Sequence, residues 1–237
     1  MRETWRWFGE FDPIGLNEVA QTGAAGIVSA LHAIPYGEVW PREAIAARKA
    51  EIEASDFTWD VVESLPVHED IKRGTGDIDR LFANYRTSLA NLAAEGVQTV
   101  CYNFMPILDW TRTDLAAPVP RGGTCLRFSA AKMAAFEIYM LGRDAARGDY
   151  HPSAVAAGTA WFEVSTPEDQ DLLLKTIMAG LPGAVDRYDI AGLKTVLHSY
   201  AGLSHDDLRD NLKRFLTEVI PTATELGINM CIHPDDP

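Results

Sequence analysis

A chain of 237 residues has room for one large domain or two small ones, and its 47% hydrophobic and 23% charged content are those of an ordinary globular fold. A formal net charge of −13 argues against a nucleic-acid partner, because binding a phosphate backbone relies on clustered Lys and Arg. No apolar run reaches membrane-spanning length, Met1-Arg2-Glu3-Thr4-Trp5 opens no signal peptide, and the scattered Cys101, Cys125 and Cys231 make no disulfide framework, so the expected compartment is a reducing cytoplasm.

Taken in order, Thr4 to Phe8 (TWRWF) is a first strand, rich in aromatics and stopped by Gly9. Asp12-Pro13 opens a short helix ending near Thr22, with Gly23 as its left-handed cap. Gly26 to His32 is a second strand, nearly all apolar, as a strand covered on both faces should be. A helix from about Arg42 to Ser55 follows, then a third strand from Thr58 to Leu65, closed by Pro66. Between Asp77 and Glu95, Ile78, Leu81, Phe82, Tyr85, Leu89, Leu92 and Ala93 keep the spacing of one helical face. Gly96 ends that helix, and Val97 to Asn103 is a fourth strand.

Strands that alternate with helices predict a parallel sheet with right-handed crossovers. The rhythm breaks after residue 103. An insertion at about 104–203 carries a loop, Arg121-Gly122-Gly123-Thr124, and helical stretches near 129–141, 152–162, 167–179 and 189–199. A long excursion after a strand's C-terminal end is a candidate lid. The helix from Ser204 to Leu226 places Leu208, Leu212, Phe215, Leu216, Val219, Ile220, Ala223 and Leu226 on one face, with Pro221 expected to kink it. It leads to a fifth strand, Ile228 to Ile232, which ends at His233 because Pro234 cannot continue a ladder. Periodicity leaves open a five-stranded doubly wound sheet and an α/β barrel with three units missing. The absence of GxGxxG and GxxxxGK[ST] weakens the nucleotide-binding members of the first class.

Several stretches resemble the mannonate dehydratase family: TWRWFG at the start, Gly37 to Trp40 (GEVW), Val61 to Lys72 (VVESLPVHEDIK), Thr99 to Leu115 (TVCYNFMPILDWTRTDL), Ala179 to Ala184 (AGLPGA) and His233 to Pro237 (HPDDP). The resemblance implies a (β/α)8 TIM barrel of the xylose-isomerase-like kind, here incomplete, with about five of eight units in a single domain over 1–237. It implies an enzyme of hexuronate breakdown that dehydrates D-mannonate to 2-keto-3-deoxy-D-gluconate with Mn2+ or Fe2+, and a homo-oligomer is expected separately, because a barrel that does not close leaves strand edges unpaired. In the family the metal is held by the histidine of HPDDP and by a cysteine, a second histidine and an aspartate from later strands. Only His233 has a counterpart, so the chain resembles the first five-eighths of the enzyme, and its catalytic groups are expected beyond residue 237. A truncated, non-catalytic barrel fragment is therefore the alternative, and another metal-dependent sugar isomerase a weaker one.

The chemistry explains the residue types. Removing a proton beside a carboxylate builds charge on its oxygens, which a divalent cation stabilises while an acid protonates the departing hydroxyl. His233 is the expected metal ligand, with Asp235 and Asp236 either orienting it from behind or simply solvated in the loop. Cys231 shares a strand side with His233, and buried packing is its expected role. Arg112, with Trp110, follows the fourth strand and offers a fork for a sugar-acid carboxylate, or else anchors its own loop through Asp109 or Asp114. His32, Glu63 and Asn103 stand at strand ends and line the site or satisfy the rim. Trp5 and Trp7 share a strand side and are expected to fill the interior or wall the pocket.

Overall fold

The computed structural model describes residues 2–108, 110–179 and 188–233. The chain divides into two compact units: Met1–Pro106 with Gly202–Asp235, and a second built from Ile107–Ala201. No helix among the described residues is long and apolar enough to cross a membrane.

The first unit is a five-stranded sheet flanked by helices. Strand β1 (Thr4–Arg6) is followed by a 3-10 turn, the short α1 (Leu16–Val19), a second 3-10 turn, and then β2 (Gly26–Ser29). Gly23 takes a φ of 84°, the left-handed geometry its position called for. Next come α2 (Arg42–Glu53), β3 (Thr58–Glu63), α3 (Glu69–Arg73), α4 (Ile78–Ala94) and β4 (Thr99–Tyr102). After the second unit, α9 (His205–Glu225) leads to β7 (Asn229–Ile232). The strands pair in the order β1-β2-β3-β4-β7, all parallel. Nowhere does the order reverse from a central strand, as a doubly wound sheet requires. Among the described residues β1 pairs only with β2, and β7 only with β4.

Apolar burial explains these positions. Ile27, Val62 and Val100 from the strands meet Ile45 and Ile52 of α2, Leu89 and Leu92 of α4, and Phe215 and Val219 of α9 in one continuous core. Asp77 caps α4, its carboxylate accepting from the Arg80 N–H at 3.3 Å. Ser204 and Asp207 cap α9 reciprocally, which satisfies donors that a helix start leaves over. The expected buried face of α4 is buried from Ile78 to Leu92. That of α9 is narrower than its periodicity suggested: Ile220 is 39% exposed. The helix runs on through Pro221 to Glu225.

The HEDIK stretch has a structural explanation. His68 caps α3 by accepting from the Asp70 N–H at 3.1 Å. Lys72 is buried, pairs with Glu69 at 2.6 Å, and donates to the Met105 carbonyl at 2.8 Å. A buried ammonium held by one carboxylate and one carbonyl ties the end of β4 to α3.

The second unit is mainly helical: α5 (Ala130–Ala135) continuing into a π-helical turn at Phe136–Met140, then α6 (Pro152–Val164), α7 (Pro167–Met178) and α8 (Ile190–Ser199). Sequence reading missed an antiparallel hairpin, β5 (Asp114–Pro118) with β6 (Thr124–Arg127). Arg121, Gly122 and Gly123 turn it with φ of 76°, 90° and 86°. Pro118 and Pro120 hide the strand character of this stretch, although a Gly-Gly pair is a recognised hairpin signal. Phe136, Leu173, Ile177 and Leu193 form this unit's core.

Candidate functional site

In register, Glu63 of β3, Cys101 of β4 and Cys231 of β7 stand in one row across neighbouring strands. Registered parallel residues point to the same side, and the alternation places Val61 there too, away from Val62 and Val100 of the core. Two residues farther along, Asn103 and His233 fall on that side by the same alternation, past the C-terminal ends of β4 and β7. The His233 N–H donates to the Tyr102 carbonyl at 2.7 Å and so continues the ladder by one residue.

Two of the predicted residues meet here. His233 Nε2 lies 3.6 Å from Glu63 Oε1. The same carboxylate oxygen is ion-paired to Arg6 Nη1, and both side chains are about one-fifth exposed (20% and 19%). Arg6 was not singled out from the sequence. Its guanidinium also lies 4.7 Å from the centroid of the Phe8 ring. A cation between two tryptophans in a strand was the available signal, since Arg6 must face the side that Trp5 and Trp7 avoid. Of those two, Trp7 is core and donates from Nε1 to the Ile14 carbonyl at 3.1 Å, whereas Trp5 is 37% exposed and does not fill an interior.

His32 follows β2 and is packed by aromatics, its ring 5.7 Å from that of Phe8 and 6.5 Å from that of Phe11. Both ring nitrogens are buried without a hydrogen-bond partner. Burial first, then the nearby charges of Arg6 and Arg48, push its pKa down to about 4, so the imidazole is neutral at pH 7. Asn103 is half-buried. Trp110 and Arg112 belong to the second unit, where Arg112 Nη1 donates to the Thr111 carbonyl at 2.8 Å. Asp235 and Asp236 lie outside the described residues, as does Asp109. Cys231 is exposed on its edge strand rather than packed in an interior, while Cys101 is buried. Burial, then Cys231 and Glu63 nearby, push the Cys101 thiol up to about 12, so it stays protonated at neutral pH.

Among the described residues no three of His, Cys, Asp or Glu come together as a ligand set. His233 and Glu63 are two donors, the second ion-paired to Arg6. The role of Glu63 is testable. Glu63→Ala leaves Arg6 without its carboxylate and should cost about 2 kcal/mol in urea denaturation, below the penalty for a fully buried pair because both groups keep some solvent. Arg6→Met combined with Glu63→Ala should recover part of that loss. Strictly additive losses would show that the two side chains are not coupled.

The D-mannonate dehydratase (UxuA) family profile matches residues 1–237. The chain is 54% identical to a mannonate dehydratase of Chromohalobacter salexigens and 51% identical to one of a Marinomonas species, in both cases over all of this chain and 61% of the relative. A mannonate dehydratase of Saccharophagus degradans is 44% identical, again over the whole chain and 60% of the relative. The crystal structure of mannonate dehydratase from Streptococcus suis superposes with a TM-score of 0.70 at 35% identity, covering 100% of this chain and 54% of that one. The chain thus spans about three-fifths of the length of the curated relatives it matches. Motifs spread over the chain, an unreversed parallel sheet and a match over every residue place it in one family: this chain belongs to the D-mannonate dehydratase (UxuA) family.

Proposed function

We propose that the chain contributes a strand rim to a mannonate dehydratase, the carbon–oxygen lyase that converts D-mannonate into 2-keto-3-deoxy-D-gluconate in cytoplasmic hexuronate breakdown. The observation that carries this reading is the family match along all 237 residues. The sequential order of five parallel strands supports a xylose-isomerase-like (β/α)8 barrel represented by about five of its eight units. His233 would provide one ligand to Mn2+ or Fe2+, oriented by Asp235 and Asp236. Glu63, Asn103 and His32 would line the rim, and Arg112 with Trp110 would meet the sugar-acid carboxylate. An anionic substrate approaching a chain of net charge −13 needs such a local cation.

A second reading of activity is that these 237 residues do not turn over D-mannonate by themselves, since in the family the further metal ligands come from later strands. A chimaera in which the chain is continued by the part of the Chromohalobacter salexigens relative that it does not span tests both. The expected result is product formation and a manganese-dependent rise in melting temperature in the chimaera, both lost in His233→Ala. The 237-residue chain alone should show neither. A folded chimaera that binds manganese but leaves D-mannonate untouched would overturn the substrate, and turnover by the chain alone would overturn the second reading. A homo-oligomer is part of the same reading, and sedimentation velocity on the same sample reads the association state directly.

A further inference from the structure

Arg6 stands on β1, two strands away from Glu63 on β3, and its guanidinium crosses β2 to reach the Glu63 carboxylate. The register shows how the crossing is possible. Arg6 is level with Val28, and Val28 with Val61, so Arg6, Val28, Val61 and Glu63 share one side of the sheet. Carried one residue past the pair of Ser29 with Val62, the same alternation brings Ala30 level with Glu63. A single methyl group there leaves the guanidinium a passage that a longer side chain would fill.

The guanidinium is held at its edge and at its face. Nη1 pairs with Glu63 Oε1, and the guanidinium carbon lies 4.7 Å from the centroid of the Phe8 ring, which follows two residues later on the same side. The Phe8 N–H donates to the Asp12 carboxylate at 3.0 Å, which fastens the turn that carries the ring. A planar cation clamped in this way sets where the Glu63 carboxylate stands, and the same carboxylate oxygen lies 3.6 Å from His233 Nε2.

We propose, resting on the reading of the chain as part of a mannonate dehydratase, that Arg6 is a positioning residue of the sugar-acid site. It acts on the anionic substrate only through Glu63, by holding that carboxylate in place and offsetting its charge. A sugar acid is an anion, and a lone carboxylate on the rim repels it. Paired to Arg6, Glu63 keeps its capacity to accept hydrogen bonds from sugar hydroxyls while presenting little net charge.

A double-substitution cycle in the chimaera, assayed with D-mannonate, tests this. Arg6→Met should raise KM about 10-fold with a smaller change in kcat, the order expected for one uncompensated charge facing an anion. Arg6→Lys keeps the charge and should restore most of the loss. In a Glu63→Gln background the charge is already gone, so adding Arg6→Met should change KM by less than about twofold. A full further loss in that background would show Arg6 touching the substrate itself and would overturn the proposal, as would a loss in Arg6→Met confined to kcat. A chimaera that leaves D-mannonate untouched defeats the mannonate reading, and the role of Arg6 is then read without substrate in the 237-residue chain. At a fixed pH the ring NMR signals of His233, assigned by their loss in His233→Ala, should move in Arg6→Met, while those of His151, His198 and His205 stay in place. Going from Glu63→Gln to the double variant should leave the His233 signals where they are. Equal displacements in the two backgrounds, or none in Arg6→Met, would show that Arg6 does not act through Glu63.

Discussion

Phe215→Ala should remove about 3–5 kcal/mol of stability, the usual cost of deleting a fully buried aromatic ring. Phe215 is 0% exposed and is the residue through which α9 grips the sheet. Its ring meets Tyr85 of α4 edge-on at 5.0 Å, Tyr102 of β4 at 5.6 Å and Phe104 at 6.0 Å. Deleting it leaves a cavity among three aromatic rings that are themselves held by the core and cannot collapse into the space. Because α9 leads directly into β7, the loosened helix should also free the strand that places His233 beside Glu63. Urea denaturation followed by tryptophan fluorescence measures the loss, and Phe215→Leu should cost markedly less. A loss below about 1 kcal/mol for Phe215→Ala would mean that the aromatic cluster does not anchor this helix.

The second large effect is acid sensitivity centred on His32. In the unfolded chain its imidazole takes a proton near pH 6.5, whereas in the fold it does so only at about 4. Between those values the unfolded state binds more protons than the native state, so stability falls as pH drops from about 6.5 to about 4 and levels off below. Above pH 6.5 the residue contributes nothing to the pH dependence. The ceiling for a displacement of this size is about 3 kcal/mol. Other groups titrate in the same window, so the informative quantity is the difference between the chain and His32→Gln, measured by urea denaturation at a series of pH values. The two curves should converge at low pH and separate toward neutrality, relative to a common acid reference. Parallel curves would show that His32 is not held neutral by its aromatic cover and its two arginine neighbours.

Much of this molecule is legible along the chain because its repeating signals are local. The buried face of α4 repeats every three or four residues over 17 residues, and no strand could display it. Each strand of the sheet begins within two residues of its expected start, since short apolar runs between glycines, prolines and helices leave little choice of boundary. Motifs such as HPDDP carried the family, and the match over every residue agrees with them.

What the sequence could not supply depends on register between distant strands. Arg6, Glu63 and His233 come from β1, β3 and the end of β7, and no spacing in the chain announces that one carboxylate will lie between the other two. Cys231 looked like packing because alternation gives only its side of the strand, whereas among the described residues it is exposed. The β5–β6 hairpin was hidden by its prolines and became visible only through the pairing of Asp114 with Arg127 and Pro118 with Thr124. Helical faces and strand starts are set by neighbours within a turn or two. The meeting of Arg6, Glu63 and His233 is set by the lateral order of the sheet, which only the folded chain decides.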